Sequence, residues 1–126
     1  MAFTIPIQKS HRQRTIAWLL GATLVASAIH FVDNALRLDL YPGPAWFTPG
    51  IVLAAWFVMP VLAFAAYRSG TRGALVGYGL LGFAGFGHYL PPHLHAMPMR
   101  CMVTIVGEAI ASVVLIAYVL LGAARE

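Results

Sequence analysis

Apolar residues run along this chain in four long blocks, broken by short polar, proline- or glycine-bearing stretches. The blocks cover residues 15–36, 49–67, 74–90 and 99–123. Each approaches or exceeds the ~20 residues a helix needs to cross a hydrocarbon layer of about 30 Å, within a range of about 17–25. None alternates apolar and polar residues as a barrel strand does. In lipid the backbone must satisfy its own hydrogen bonds, so helices are the expected form. The connections are "RLDLYPGPAWF", "RSGTRG" and "PPHLHAMPMR". Their prolines and glycines stop helices, and links this short favour antiparallel neighbours. The expected fold is therefore all-α: a single-domain, integral membrane four-helix up-down bundle.

Composition agrees with lipid as the solvent. Of 126 residues, 60% are hydrophobic and 10% charged, which is too little charge to cover a water-soluble domain of this size. The net charge of +4 does not indicate nucleic acid, because the basic residues are dispersed and form no patch. Their distribution sets an orientation instead. Lys9, Arg12, Arg14, Arg68, Arg72 and Arg125 fall on one side of the expected topology, and Arg37 and Arg100 on the other, with Asp39 beside the former. The positive-inside rule then places both termini in the cytoplasm, for a multi-pass protein of a bacterial inner membrane. Trp46 and Phe47 are expected as outer interfacial anchors and Trp18 as an inner one. The basic start, the apolar stretch and the Ala26–Ser27–Ala28 run also fit a cleavable signal peptide. The apolar character continues past Ala28, so an uncleaved first helix is expected. With Cys101 as the single cysteine, cysteine usage says nothing of redox compartment.

Against this background a few polar residues stand out. At a helical rise of 1.5 Å, His30 lies sixteen residues past Arg14 and His88 sixteen past Arg72, so both reach about 24 Å from the inner surface. Glu108, eight residues past Arg100, lies about 12 Å in from the outer face. His30, Asp33 and Asn34 share one helix face at i, i+3 and i+4. A carboxylate one turn from an imidazole can accept its N–H and raise its basicity. Ionisable groups inside a membrane are expensive and mark functional sites by default. The expected site is a pocket in the outer half of the bilayer lined by His30, Asp33, Asn34, His88 and Glu108. Tyr41, Trp46 and Tyr89 are further candidates for ligand contact. In "GALVGYGLLGFAGFGHY" the glycines at 73, 77, 79, 82, 85 and 87 allow close helix approach, or leave a slot for a flat apolar ligand. "GYGLLG" matches the dinucleotide fingerprint but lies inside an apolar segment, where that motif has no meaning.

One stretch resembles a known group. "PAWFTPGIVLAAWFVMPVLAFAAYRSG", with Pro60 in mid-helix and Tyr67 and Gly70 at its exit, is similar to the second-helix region of the EXPERA superfamily, which includes the sigma-2 receptor and the emopamil-binding sterol isomerases. Asp33 and the pair Tyr41–Pro42 are similar as well. "HFVDN" and "GHYLPP" are also similar to small bacterial four-helix membrane proteins. The EXPERA likeness covers about a third of the chain. It implies a four- or five-helix membrane fold with an acidic, partly His-lined pocket for sterol-like amines and lipids. It departs at Ala54, where a carboxylate is expected, so that Glu108 would have to supply the pocket acid.

The expected ligand is a small lipophilic molecule, isoprenoid- or sterol-like. Whether the chain is an enzyme is left open; if it is, the chemistry would be acid–base isomerisation, with Glu108 as acid and His30, oriented by Asp33, as base, or the two exchanged. Two alternatives use other chemistry. His93, His95, Met97, Met99 and Cys101 offer soft sulfur and imidazole suited to copper, and His30 with His88 could hold a haem. A third is a structural subunit of a larger membrane complex. Homo-oligomerisation is also open, and nucleic acid is not an expected partner.

Overall fold

The computed structural model describes residues 7–40, 45–89 and 98–123, with the side chains of 7–10, 88 and 123 left out. All regular structure among the described residues is helical. α1 spans Ile7–Leu36 and is followed by a 3₁₀ turn at Leu38–Leu40. α2 spans Pro49–Trp56, α3 Val58–Ser69 and α4 Arg72–Leu81; a 3₁₀ segment, Ala84–Tyr89, follows α4, and α5 spans Met99–Ala123. Three of these stretches are long and apolar enough to cross a membrane: His11–Leu36, Pro49–Ser69 and Met99–Gly122.

α1 begins well before the expected residue 15. No proline or glycine interrupts residues 7–20, so the backbone ladder simply continues through the basic turns. α2 and α3 form one apolar stretch with a break at Phe57. Pro60 has no N–H to offer the Trp56 carbonyl, and its ring crowds that carbonyl. At the break the Phe57 N–H is shared between Leu53 O and Ala54 O, at 3.3 and 3.2 Å. The stretch starts on a side-chain cap, with the Ile51 N–H donating to Thr48 Oγ1 at 3.3 Å and Pro49 in the first turn. It ends at Gly70, whose φ of 61° closes the last turn, a left-handed conformation that favours glycine. Thr71 then caps α4, accepting from the Ala74 N–H at 3.3 Å.

The third expected span, 74–90, is the largest departure. Its α-helix stops at Leu81, so α4 covers only about 15 Å, half a hydrocarbon layer. The rest is a turn and 3₁₀ helix. Glycine is a poor helix former, and here the glycines serve contact with α5. A Cβ on Gly79 would stand 2.7 Å from Ile116 Cγ1, and one on Gly82 would collide with Ser112 Oγ and lie 2.9 Å from Ser112 Cβ. At Gly85 it would meet His30 Cε1 at 3.0 Å and Ile105 Cγ1 at 3.1 Å. Gly73, Gly77 and Gly87 have open space instead. The slot expected along this stripe is thus filled by side chains of α5 and α1.

The pairs Gly79–Ile116, Gly82–Ser112 and Gly85–Ile105 show α4 and its 3₁₀ extension running against α5. His30–Glu108 and Asn34–Cys101 show α1 doing the same. Ile16, Leu20, Ala63, Ala66, Leu75, Tyr78, Leu115 and Val119 close into an apolar core toward the N-terminal end of α1. Large apolar side chains, including Trp18, Phe57, Phe64 and Leu121, cover the outside. Exposed apolar surface on this scale suits lipid contact.

The glycine stripe sets a test. Gly82→Ala should destabilise the protein by roughly 1–3 kcal/mol through overpacking, while Gly77→Ala should leave stability unchanged or slightly raised. Thermal melts in detergent read both, and Ser112→Gly in the Gly82→Ala background should restore much of the loss. Equal melting of the two single variants would refute the close α4–α5 approach.

Candidate functional site

Thr23, Ser27, His30 and Asp33 recur at intervals of four, three and three along α1, which places them on one face. On α5, Cys101, Ile105, Glu108 and Ser112 do the same at four, three and four. The two faces meet, and every one of these residues is buried. The result is a polar seam between two apolar helices, with Ile105 the one apolar residue in it.

At its centre His30 Nδ1 lies 3.4 Å from Glu108 Oε2, with side chains only 4% and 5% exposed. Gly85 gives the imidazole its space, since its Cα hydrogens face His30 Cε1. The Ser27 hydroxyl stands beside the Glu108 carboxyl. Deeper along the seam, Tyr78 of α4 neighbours Thr23 and comes within electrostatic range of Glu108. Thr23, Met59, Tyr78, Gly82, Glu108 and Ser112 enclose a crevice too narrow for a water-sized sphere. Thr23 is satisfied locally, its hydroxyl donating to Leu20 O at 2.8 Å. The Ser27 and Tyr78 hydroxyl oxygens meet no hydrogen-bond geometry among the described residues. Beyond Tyr78 the apolar core begins, so the seam is closed at that end.

Toward the other end the groups pair differently. Asp33 Oδ1 lies 3.4 Å from Arg37 Nε and 4.0 Å from Arg100 Nη1. The Cys101 S–H donates to Asn34 Oδ1 at 3.5 Å, and the Tyr89 hydroxyl donates to Met102 O at 3.1 Å. Outside the seam, an open groove of about 460 Å³ runs between α1 and α5, lined by Ala28, Ile29, Val32, Asp33, Leu36, Arg100 and Thr104. Its walls flank His30 in sequence, and Thr104 stands one helical turn from Glu108.

The structure thus joins His30 and Glu108 directly, and places Asp33 between two arginines and Asn34 against Cys101. Trp46 is exposed and stacks edge-on with Phe47 at 5.6 Å, apart from the seam. Met99 is exposed while Cys101 is buried, so these two sulfurs occupy different environments. Tyr41, His93, His95, Met97 and the side chain of His88 lie outside the described residues. Among the described residues, no three His, Cys, Asp or Glu side chains come together as a metal site. Sequence reasoning gave no role to Thr23, Ser27, Tyr78 or Ser112; the helical spacing of Thr23 and Ser27 to His30 and of Ser112 to Glu108 was there to be read, whereas Tyr78 stands on another helix and carried no such signal. It also treated Arg37 and Arg100 only as topology signals. No family model, curated protein or solved structure matches the chain.

Chemically, a carboxyl and an imidazole at this distance can hold one proton between them, as two neutral groups or as an ion pair. Moving that proton interconverts the two, which equips the pair for general acid–base work. The pair also matters to folding. Removing one member of a buried pair typically costs about 3–5 kcal/mol, whereas replacing both with apolar residues is often near neutral. His30→Leu and Glu108→Leu should therefore each lower the melting temperature more than the double variant does. Additive losses in that cycle would show that the two side chains do not interact.

Proposed function

We propose that this chain is an integral membrane protein that binds a small lipophilic molecule, isoprenoid- or sterol-like, in the α1/α5 groove. We propose further that it moves a proton to or from that molecule through His30 and Glu108. The observation that carries the reading is the 3.4 Å contact of two buried titratable groups in helices long and apolar enough to cross a membrane. Such a pair is costly to insert and is typical of functional positions. The groove supports it, since about 460 Å³ falls within the ~300–1,000 Å³ of small-molecule sites. The EXPERA-like second-helix stretch points to ligands of the same class. In this reading the helices form an up-down bundle of four segments, with α4 and its 3₁₀ extension as one of them. The basic residues at the α1 start and the α3–α4 turn face the cytoplasm, as do both termini.

For an isomerisation, one member of the pair protonates a double bond and the other removes a neighbouring proton. The seam ends blindly at Tyr78 and the apolar core, so protons would exchange with the outer side through the rim at Asp33.

Mass spectrometry of organic extracts from the purified protein tests this. Wild type should carry about one lipophilic molecule per chain, and Val32→Trp, which fills the groove, should carry none. In D₂O the retained molecule should take up deuterium at carbon with wild type, but not with Glu108→Gln or His30→Ala. Extracts identical for wild type and Val32→Trp would overturn the site; uptake unchanged in both polar variants would overturn the chemistry.

A further inference from the structure

The groove's outer end carries an unbalanced charge. Arg37 and Arg100 both approach the same oxygen of Asp33, Arg37 at 3.4 Å and Arg100 at 4.0 Å. One carboxylate therefore faces two guanidinium groups, and the nearer one neutralises it. Arg100, the member that lines the groove, has a side chain 64% exposed and five N–H donors, few of which Asp33 can take up. The chain has four acidic residues, Asp33, Asp39, Glu108 and Glu126. Glu108 is committed to His30 inside the seam, and Glu126 is the last residue of the sequence, far along the chain from this rim. Asp39 is exposed and stands outside the groove's walls. The linking stretches 41–44 and 90–97 contain no acid at all, and His93 and His95 can only add positive charge. α5 starts at Met99, so the positive end of its dipole faces the same rim.

Ala28, Ile29, Val32 and Leu36 give the groove an apolar strip along α1, and Thr104 adds one hydroxyl from α5. A groove of about 460 Å³ has the capacity of one drug-sized molecule, enough to seat the head and one apolar chain of an amphiphile. We infer that the α1/α5 groove selects an amphiphile with a single apolar chain and a phosphate head, seated with its head on Arg100 and its chain along the α1 strip. Arginine binds phosphate through paired, charge-assisted hydrogen bonds that a hydroxyl or an ammonium head does not form. The inference rests on the groove being the ligand site. It also departs from the amine ligands that the EXPERA resemblance implies, because the charge here has the opposite sign.

A matched set of probes decides it: farnesyl phosphate, farnesol and farnesylamine share one tail and differ only in the head. Equilibrium binding is measured on the full chain in phosphatidylcholine nanodiscs, with circular dichroism confirming that each variant is folded. Wild type should bind farnesyl phosphate at least about tenfold tighter than farnesol, the scale of one charged hydrogen bond. Arg100→Gln should abolish that preference, bringing farnesyl phosphate down to the affinity of farnesol; Arg100 is exposed, so its replacement leaves the packed seam intact, and Arg100→Lys should retain part of the preference. Val32→Trp should weaken all three probes. Equal binding of phosphate and alcohol, or tighter binding of the amine, would overturn the inference while leaving the groove reading standing. Binding that is absent, or insensitive to Val32→Trp, would overturn both.

Discussion

A carboxyl group held among apolar helices has to meet a partner, because neither water nor lipid satisfies it there. In this chain Glu108 meets His30, and much of the α1–α5 arrangement follows from that contact. It brings α1 and α5 together in antiparallel register. It aligns Ser27 and Ser112 on the same seam and leaves Asp33, one turn away, to face the arginines at the rim. Apolar residues at these positions would pack, but they would set no unique register between two helices that are otherwise apolar along much of their length.

The close approach that makes the seam is steric. Gly79, Gly82 and Gly85 let the third segment lie against Ile116, Ser112, Ile105 and the His30 ring with no Cβ between them. The same glycines end the α-helix early and turn its continuation into 3₁₀ helix. Helix continuity is thus exchanged for proximity at the place where the polar pair needs a wall. Outside the seam an open groove lies between α1 and α5, with Ile29 and Val32 on either side of His30 in sequence among its walls.

Much of this was legible residue by residue. The apolar blocks marked the helices, and His30 and Glu108 stood out as titratable groups in apolar runs at comparable depth. Other features stayed open because two explanations shared one signal. Asp33 is three residues from His30 and four from Arg37, and helical spacing alone cannot rank those neighbours; the folded chain sets Asp33 against Arg37 and Arg100. The glycine-rich run reads equally as a ligand slot or as a packing surface, and only the position of α5 resolves it. Ser27, Tyr78 and Ser112 were passed over because hydroxyl residues are common in membrane helices and carry no charge to flag them.

What the sequence determined by itself is the solvent and the element type, since hydropathy and length are properties of a segment whatever it packs against. Lipid leaves a backbone of this kind few choices but a helix. What only tertiary structure decided is who meets whom: the imidazole with Glu108, Asp33 with its two arginines, and Ser112 with a bare glycine. Those pairings join residues as far apart as 78 positions, from His30 to Glu108. They depend on the rotation and register of one helix against another, which no local pattern encodes.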